Sequence, residues 1–477
     1  MSGAPESSGG PGELSYRSAQ GRWVLAATVL GSAMALLDST VVNVALRQIG
    51  RHLDAGLAQL QWITNGYLLS LASLILVGGS LGDRLGRRRV FTVGVIWFAI
   101  ASALCAVALT PVQLIVARVL QGVGAALLTP GSLALIQSSF QPADRGRTIG
   151  AWAGLGGIAT AIGPLVGGWL VQTASWRWVF LLNLPLAAVT VVVTQRYVPE
   201  SRDTGLRRRY DPLGAGLAVV ALAGITFALI EMGTLAPLPV VVVGALGAAA
   251  AAGFITWERG NRNAMVPMDL FTVRQFSAAN GMTLLVYAAL GAVLFFLVLQ
   301  LQTGSGWSPL EAGLATVPIT VLMLLFSSRG GQLASRIGPR LPMALGPLVC
   351  AVGTALLTGV GEGANYWRDV FPGVVVFGLG LVLLVAPLTS TVLAAAPDQH
   401  AGVASGVNNA VARAGSLLAV SALPAAVGLS GDDYQRPEVF SAGYDRAMWV
   451  CAGLLVLGGL VAGALIRNRA NYPVGRD

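Results

Sequence analysis

The sequence predicts an all-α membrane protein with fourteen transmembrane helices, grouped six, two and six, and with both termini in the cytoplasm. Composition is the first ground. Of 477 residues, 55% are hydrophobic and 11% charged, with a mean hydropathy of +0.71, whereas a soluble chain carries about a quarter of its residues as charges. The second ground is segment length. Apolar runs cover roughly 23–46, 60–82, 89–110, 112–136, 147–172, 178–196, 212–232, 237–257, 277–301, 310–329, 341–361, 370–393, 400–428 and 447–466, each near the ~20 residues that a bilayer core demands. An even number returns the chain to its starting side. The third ground is charge: all 30 basic residues are Arg, with 22 on the side of the termini, 6 on the other, and Arg118 and Arg413 inside helices. Basic loops stay cytoplasmic, so this bias orients a multi-pass protein of the plasma membrane and explains the net charge of +9 without a nucleic-acid partner.

Residues 1–22 are polar and rich in Gly, Ser and Pro, without the basic-then-apolar order of a cleaved leader, and read as a disordered cytoplasmic tail. The first apolar segment carries one ionisable group, Asp38. An acid at that depth costs several kcal/mol unless protonated, paired or facing water, which makes it a functional candidate. Arg118, in the fourth segment, lies roughly 9 Å below the outer surface and Asp38 roughly 12 Å below it, at the helical rise per residue. An arginine at matching depth favours the ionised acid, while burial favours the neutral one. A carboxyl under opposed influences suits a proton carrier; a static buried ion pair that holds the helices together is the alternative.

After the second segment comes GSLGDRLGRRR, with Gly79, Asp83, Arg84, Gly86, Arg87 and Arg88; GQLASRIG, from Gly331 to Gly338, repeats it after the tenth. The repeat divides the chain into a first six-helix bundle, 23–196, a link with two inserted helices, 197–276, a second bundle, 277–466, and a tail, 467–477. Glycines permit the tight turn, and Asp83 can accept from a helix N-terminus or an arginine, a contact able to latch one conformation. Ser335 replaces the acid in the second copy, so a charged latch is expected to be stronger in the first half. In the fifth segment Gly150, Gly163, Pro164, Gly167 and Gly168 provide close helix contact and a kink.

The remaining polar residues in apolar surroundings are fewer. Asn43, Gln121, Gln300, Asn409 and Arg413 are the candidates for a substrate site, Arg413 pairing with a backbone carbonyl or with an anionic group of the substrate. Glu231 ends the seventh segment and reads as an interfacial acid, with a proton role as the lesser reading. Trp152, Phe180, Tyr287 and Phe295 are aromatic candidates for a drug-binding wall, a role that lipid-facing or packing positions fill more often. Cys105, Cys350 and Cys451 sit in separate apolar runs and read as small buried hydrophobes. No nucleophile–base pair, metal-ligand cluster or phosphate loop is present in the sequence, so neither an enzyme nor a cofactor or metal is expected.

In this order the motifs resemble the major facilitator superfamily, and within it the fourteen-helix drug:proton antiporters of the EmrB/QacA type. The loop at 79–89, the LIVARVLQGVG stretch around Arg118 and the glycine-proline pattern at 150–168 carry the superfamily resemblance. LDSTVVNVAL at 37–46, WRWVFLLNLP at 176–185, the 301–313 stretch and GVASGVNN at 402–409 carry the narrower one. Arg47 stands where that group usually has Pro, and Ala159 where the fifth-helix motif usually has Gly. The resemblance implies two rocking bundles and a proton-coupled exporter of lipophilic drugs or antibiotics, working as a monomer. Asp38 and Arg118 would couple protons, and the 79–89 loop would act as the latch. Export of one dedicated metabolite is an alternative, as is proton symport, against which the fifth-helix motif argues. A non-transporting receptor on the same fold is a further alternative, against which intact Asp38 and Arg118 argue.

Overall fold

A computed structural model describes residues 14–202, 211–261, 264–397 and 401–468. Fourteen helices follow: α1 Ala19–Leu53, α2 Leu57–Leu85, α3 Arg87–Val107, α4 Pro111–Ser139, α5 Pro142–Thr173, α6 Arg177–Tyr197, α7 Pro212–Glu231, α8 Pro237–Gly260, α9 Arg274–Thr303, α10 Pro309–Ile337, α11 Arg340–Leu356, α12 Tyr366–Ala394, α13 Ala401–Ala426 and α14 Pro437–Leu465. Twelve of these are long and apolar enough to cross a membrane. The other two are α11, which is short, and α13, which carries Asn408, Asn409 and Arg413. Helix α6 is interrupted at Leu182 because Pro185 has no N–H to offer the carbonyl four residues earlier.

Of the tail expected to be disordered over residues 1–22, residues 14–22 are ordered, while residues 1–13 lie outside the described residues. Leu14 is buried and pairs with the end of α4, its N–H donating to Ser139 at 3.1 Å and its carbonyl accepting from Gln141 at 3.1 Å. The Tyr16 N–H donates to Asp144 at 2.8 Å, Arg147 lies 4.4 Å from the Tyr16 ring, and Ser18 caps α1. Polar side chains that find fixed partners order this segment despite its composition. Arg207, Arg208 and Arg209 of the expected link lie outside the described residues, as does the tail beyond 468.

Packing repeats with a shift of eight helices. In the first half α2 and α3 pack on α4, α1 packs on α5 and α6, and α3 meets α6; in the second, α10 and α11 pack on α12, α9 packs on α13 and α14, and α11 meets α14. The turns repeat too. Gly86 (φ 110°) lies between α2 and α3, and Gly338 (φ 87°) between α10 and α11, both in a region that favours glycine. The inserted α7 and α8 form a hairpin closed by the Gly224–Gly247 approach, and α7 rests on both α2 and α13.

The halves meet through α2–α13, α5–α10 and α1–α9. Their polar contacts cluster at the helix ends remote from the termini. Gln61 donates to the Val420 and Ser421 carbonyls at 2.7 and 2.9 Å, Asn65 to the Ser421 hydroxyl at 2.9 Å, and Gln302 to the Val44 carbonyl at 3.0 Å. The Leu57 N–H donates to Gly431 at 2.7 Å and the Tyr434 hydroxyl to Ala55 at 2.9 Å. Toward the termini, by contrast, Gly146, Gly150 and Gly154 of α5 face open space. The polar contacts between the halves are thus gathered at the end remote from the termini.

Candidate buried carboxylate site

Asp38 lies midway along α1 and is 1% exposed. Its carboxylate is held on both oxygens. Oδ2 forms an ion pair with the Arg118 guanidinium of α4, while Oδ1 accepts from the Gln121 side chain at 2.8 Å and from Asn183 of α6 at 3.2 Å. Arg118 is also 1% exposed, and its remaining donors reach the Ile63 carbonyl of α2 at 3.0 Å and the Gln121 carbonyl oxygen at 2.6 Å. Its guanidinium stands 4.5 Å from the Tyr67 ring, a stacked arrangement favourable to a desolvated cation. Ser102 of α3 accepts from Gln121 and from Asn183, both at 2.9 Å, and donates to the Phe180 carbonyl at 3.1 Å. Five helices converge on one carboxylate. Two buried charges survive there because each has its counter-ion and further hydrogen bonds.

Helix α1 carries this site and the interface between the halves on one rigid rod. Gly163 of α5 sits against the Thr40 side chain, and a Cβ on Gly167 would stand 2.5 Å from Val41. At the next residue, a Cβ on Gly168 would stand 2.6 Å from the Leu310 backbone of α10, and Gly313 of α10 faces the Pro164 carbonyl. Residues 163–168 are therefore where α5 touches both α1 and the other half. Gly150 touches neither.

The loop after α2 is tied locally. Arg87 reaches Asp83 at 2.8 Å through Nε, an i to i+4 pair, and Arg84 ends α2 half-buried. Glu200, beyond α6, accepts from the backbone N–H groups of Arg88 and Arg89 at 3.1 and 3.2 Å, and Arg88 donates to the Val198 carbonyl at 3.1 Å. In the second half Asn468, beyond α14, accepts from the Arg340 N–H at 3.1 Å, taking the place of Glu200 under the shift of eight helices.

The residues 28–420 match the sequence profile of the Major Facilitator Superfamily. The chain belongs to that superfamily. Among its relatives, the tetracenomycin C resistance and export protein of Streptomyces glaucescens is 34% identical over 411 residues, covering 84% of this chain and 74% of the relative. The methylenomycin A resistance protein of Streptomyces coelicolor is 34% identical over 449 residues, covering 93% and 92%. The multidrug resistance protein Stp of Mycobacterium tuberculosis is 34% identical over 402 residues, covering 84% and 74%. A solved peptide transporter POT in complex with sulfate shares the fold, with a TM-score of 0.69 at 15% identity over 96% of this chain and 98% of that one.

The other candidate residues divide by their surroundings. Asn43 is half-buried on α1, its side-chain oxygen without a hydrogen bond among the described residues. Asn409 and Arg413 lie on α13, Asn409 exposed and Arg413 half-buried. Gln300 is buried and donates to the Val360 carbonyl at 2.6 Å and to Ser441 at 2.7 Å, both in the second half. Phe295 is buried in the same core, and Phe180 in the first. Glu231 accepts from the Trp62 indole at 2.9 Å and docks the inserted hairpin on α2, away from Asp38. Ser102 and Asn183 were not singled out from sequence. The signal available was polarity inside an apolar run, and for Asn183 a position beside the break in α6.

Proposed function

We propose that the chain is a proton-coupled antiporter, its termini cytoplasmic, which exports a lipophilic drug or antibiotic. One observation supports this most: a carboxylate buried midway along a membrane-length helix, Asp38, held by Arg118, Gln121 and Asn183 on the helix that also reaches the interface between the halves. Protonation removes the charge that Arg118 balances and weakens both hydrogen bonds to Oδ1, since bonds to an ionised acceptor are about twice as strong as neutral ones. Val44, whose carbonyl Gln302 holds, is roughly 9 Å along α1 from Asp38 at the helical rise. A shift of α1 on protonation therefore acts directly on a contact between the bundles 23–196 and 277–466. The polar contacts between the bundles lie away from the termini, which on this reading favours loading of cargo from the cytoplasm. Proton entry supplies about 2.3 kcal/mol per charge per 100 mV of membrane potential.

Proteoliposomes loaded with a panel of dyes and antibiotics under an imposed pH gradient test this. Wild type moves a compound against its gradient with a matching proton flux, and Asp38→Asn abolishes the coupling. Coupling as in wild type for the variant sinks the proposal. Relatives named for single antibiotics, tetracenomycin and methylenomycin, favour a narrow substrate range as a second reading, and the same panel separates the two by how many compounds move.

A further inference from the structure

Three charged groups lie in the middle of the helices that make up the two halves: Asp38, Arg118 and Arg413. The first two neutralise one another. Arg413, at the centre of α13, has no ion pair and no hydrogen bond among the described residues. The backbone-carbonyl partner open to it from sequence is not made in this conformation. Arg413 lies on the face of α13 that meets α2 across the seam between the halves. It stands seven residues from Gly406, which abuts Leu76 of α2, and a helix repeats its face at that interval. Ser416, one turn on, donates to the Tyr287 carbonyl of α9 at 2.8 Å. Asn409, one turn toward the start of α13, shares the face and is exposed. Asn408, by contrast, is turned into α9, where it donates to Thr283 at 2.8 Å.

We propose that Arg413 is the counter-ion for an acidic group of the exported molecule, a carboxylate or an ionised phenol on a lipophilic frame, with Asn409 beside it. A cation at mid-membrane without a partner is costly, and a bound oxyanion removes that cost. The guanidinium fork matches a carboxylate, and its plane stacks on aromatic rings. A cationic cargo, by contrast, meets the Arg413 charge without a free acid to balance it among the mid-helix groups described, since Asp38 already belongs to Arg118. The inference rests on the export reading for its biological sense, but it concerns binding, which is measured without protons.

The test uses purified full-length protein and two dyes of one shape and opposite charge, fluorescein methyl ester as the anion and tetramethylrhodamine methyl ester as the cation. Binding is followed by fluorescence anisotropy. Wild type is expected to favour the anion, Arg413→Gln to weaken anion binding by about tenfold or more, the scale of a lost charge-assisted bond, and Arg413→Lys to retain part of it. The cation is expected to bind Arg413→Gln no worse than wild type, which shows that the variant is folded. Preference of wild type for the cation, binding of neither dye, or equal anion binding by Arg413→Gln and wild type each overturns the proposal. Reconstitution with a pH gradient then separates the two readings. Arg413-dependent anion binding without proton counterflow leaves this inference standing and removes antiport; proton-coupled movement of the cation alone does the reverse.

Discussion

Arg118 spends its donors on a carboxylate, an amide oxygen and a backbone carbonyl, and Asp38 takes bonds on both oxygens. Removing one charge of a buried pair strands the other and typically costs about 3–5 kcal/mol, whereas removing both can cost little. Asp38→Asn and Arg118→Gln are therefore each expected to lower the melting temperature in detergent more than the double variant does. If the double variant falls by the sum of the two singles, the side chains do not act as a pair. The pairing was legible in the sequence because depth along a helix follows from residue count, and both residues count to similar depths. What was not legible is azimuth. Nothing in an apolar run tells which side of α3 or α6 turns toward α1, so Ser102 and Asn183 joined the site only through the fold. Nor does depth tell which way Gln300 turns; its amide donates to Ser441 of the second half.

Fourteen helices were countable from hydropathy, since a bilayer fixes their minimum length. Their ends were not, because α1 continues past its apolar run in both directions, from a Ser18 cap to Leu53, and Leu14 is anchored by backbone bonds that composition does not encode. The glycine pattern of α5 acquires a location in the fold: Gly168 admits the backbone of Leu310, with the Pro309 carbonyl 2.8 Å from where a Cβ would stand. A Gly168→Leu side chain has no room there, and backbone cannot yield as a flexible side chain does. The variant is expected to disfavour the closure seen here. Spin labels at Asp54→Cys and Asp432→Cys, on the closed face, would report a longer distance than in the parent; an unchanged distance would place the hinge elsewhere.

At the scale of the molecule, the shift of eight helices makes the two bundles alike in packing, while their charge differs. The first half binds its α3 turn with Glu200 and pairs Asp83 with Arg87; the second uses Asn468 and has Ser335 bonded only to Gln332 in its own turn, at 2.7 Å. The repeat in sequence announced the symmetry, and Ser335 announced that the acid of the first copy has no counterpart in the second. The inserted hairpin is not symmetric at all. It lies along α2 and α13, with Trp62 fastened to Glu231, and so roofs one of the two slots between the halves. The other slot, between α5 and α10, has no such cover and shows Leu155, Ile158, Ile162, Leu314, Val321 and Leu325 outward. A molecule already dissolved in the bilayer thus meets a shuttered flank and an unshuttered one. The direction of approach is set before any binding group is reached, and bulky residues on α5 and α10 should slow entry from lipid where equal bulk on α7 does not.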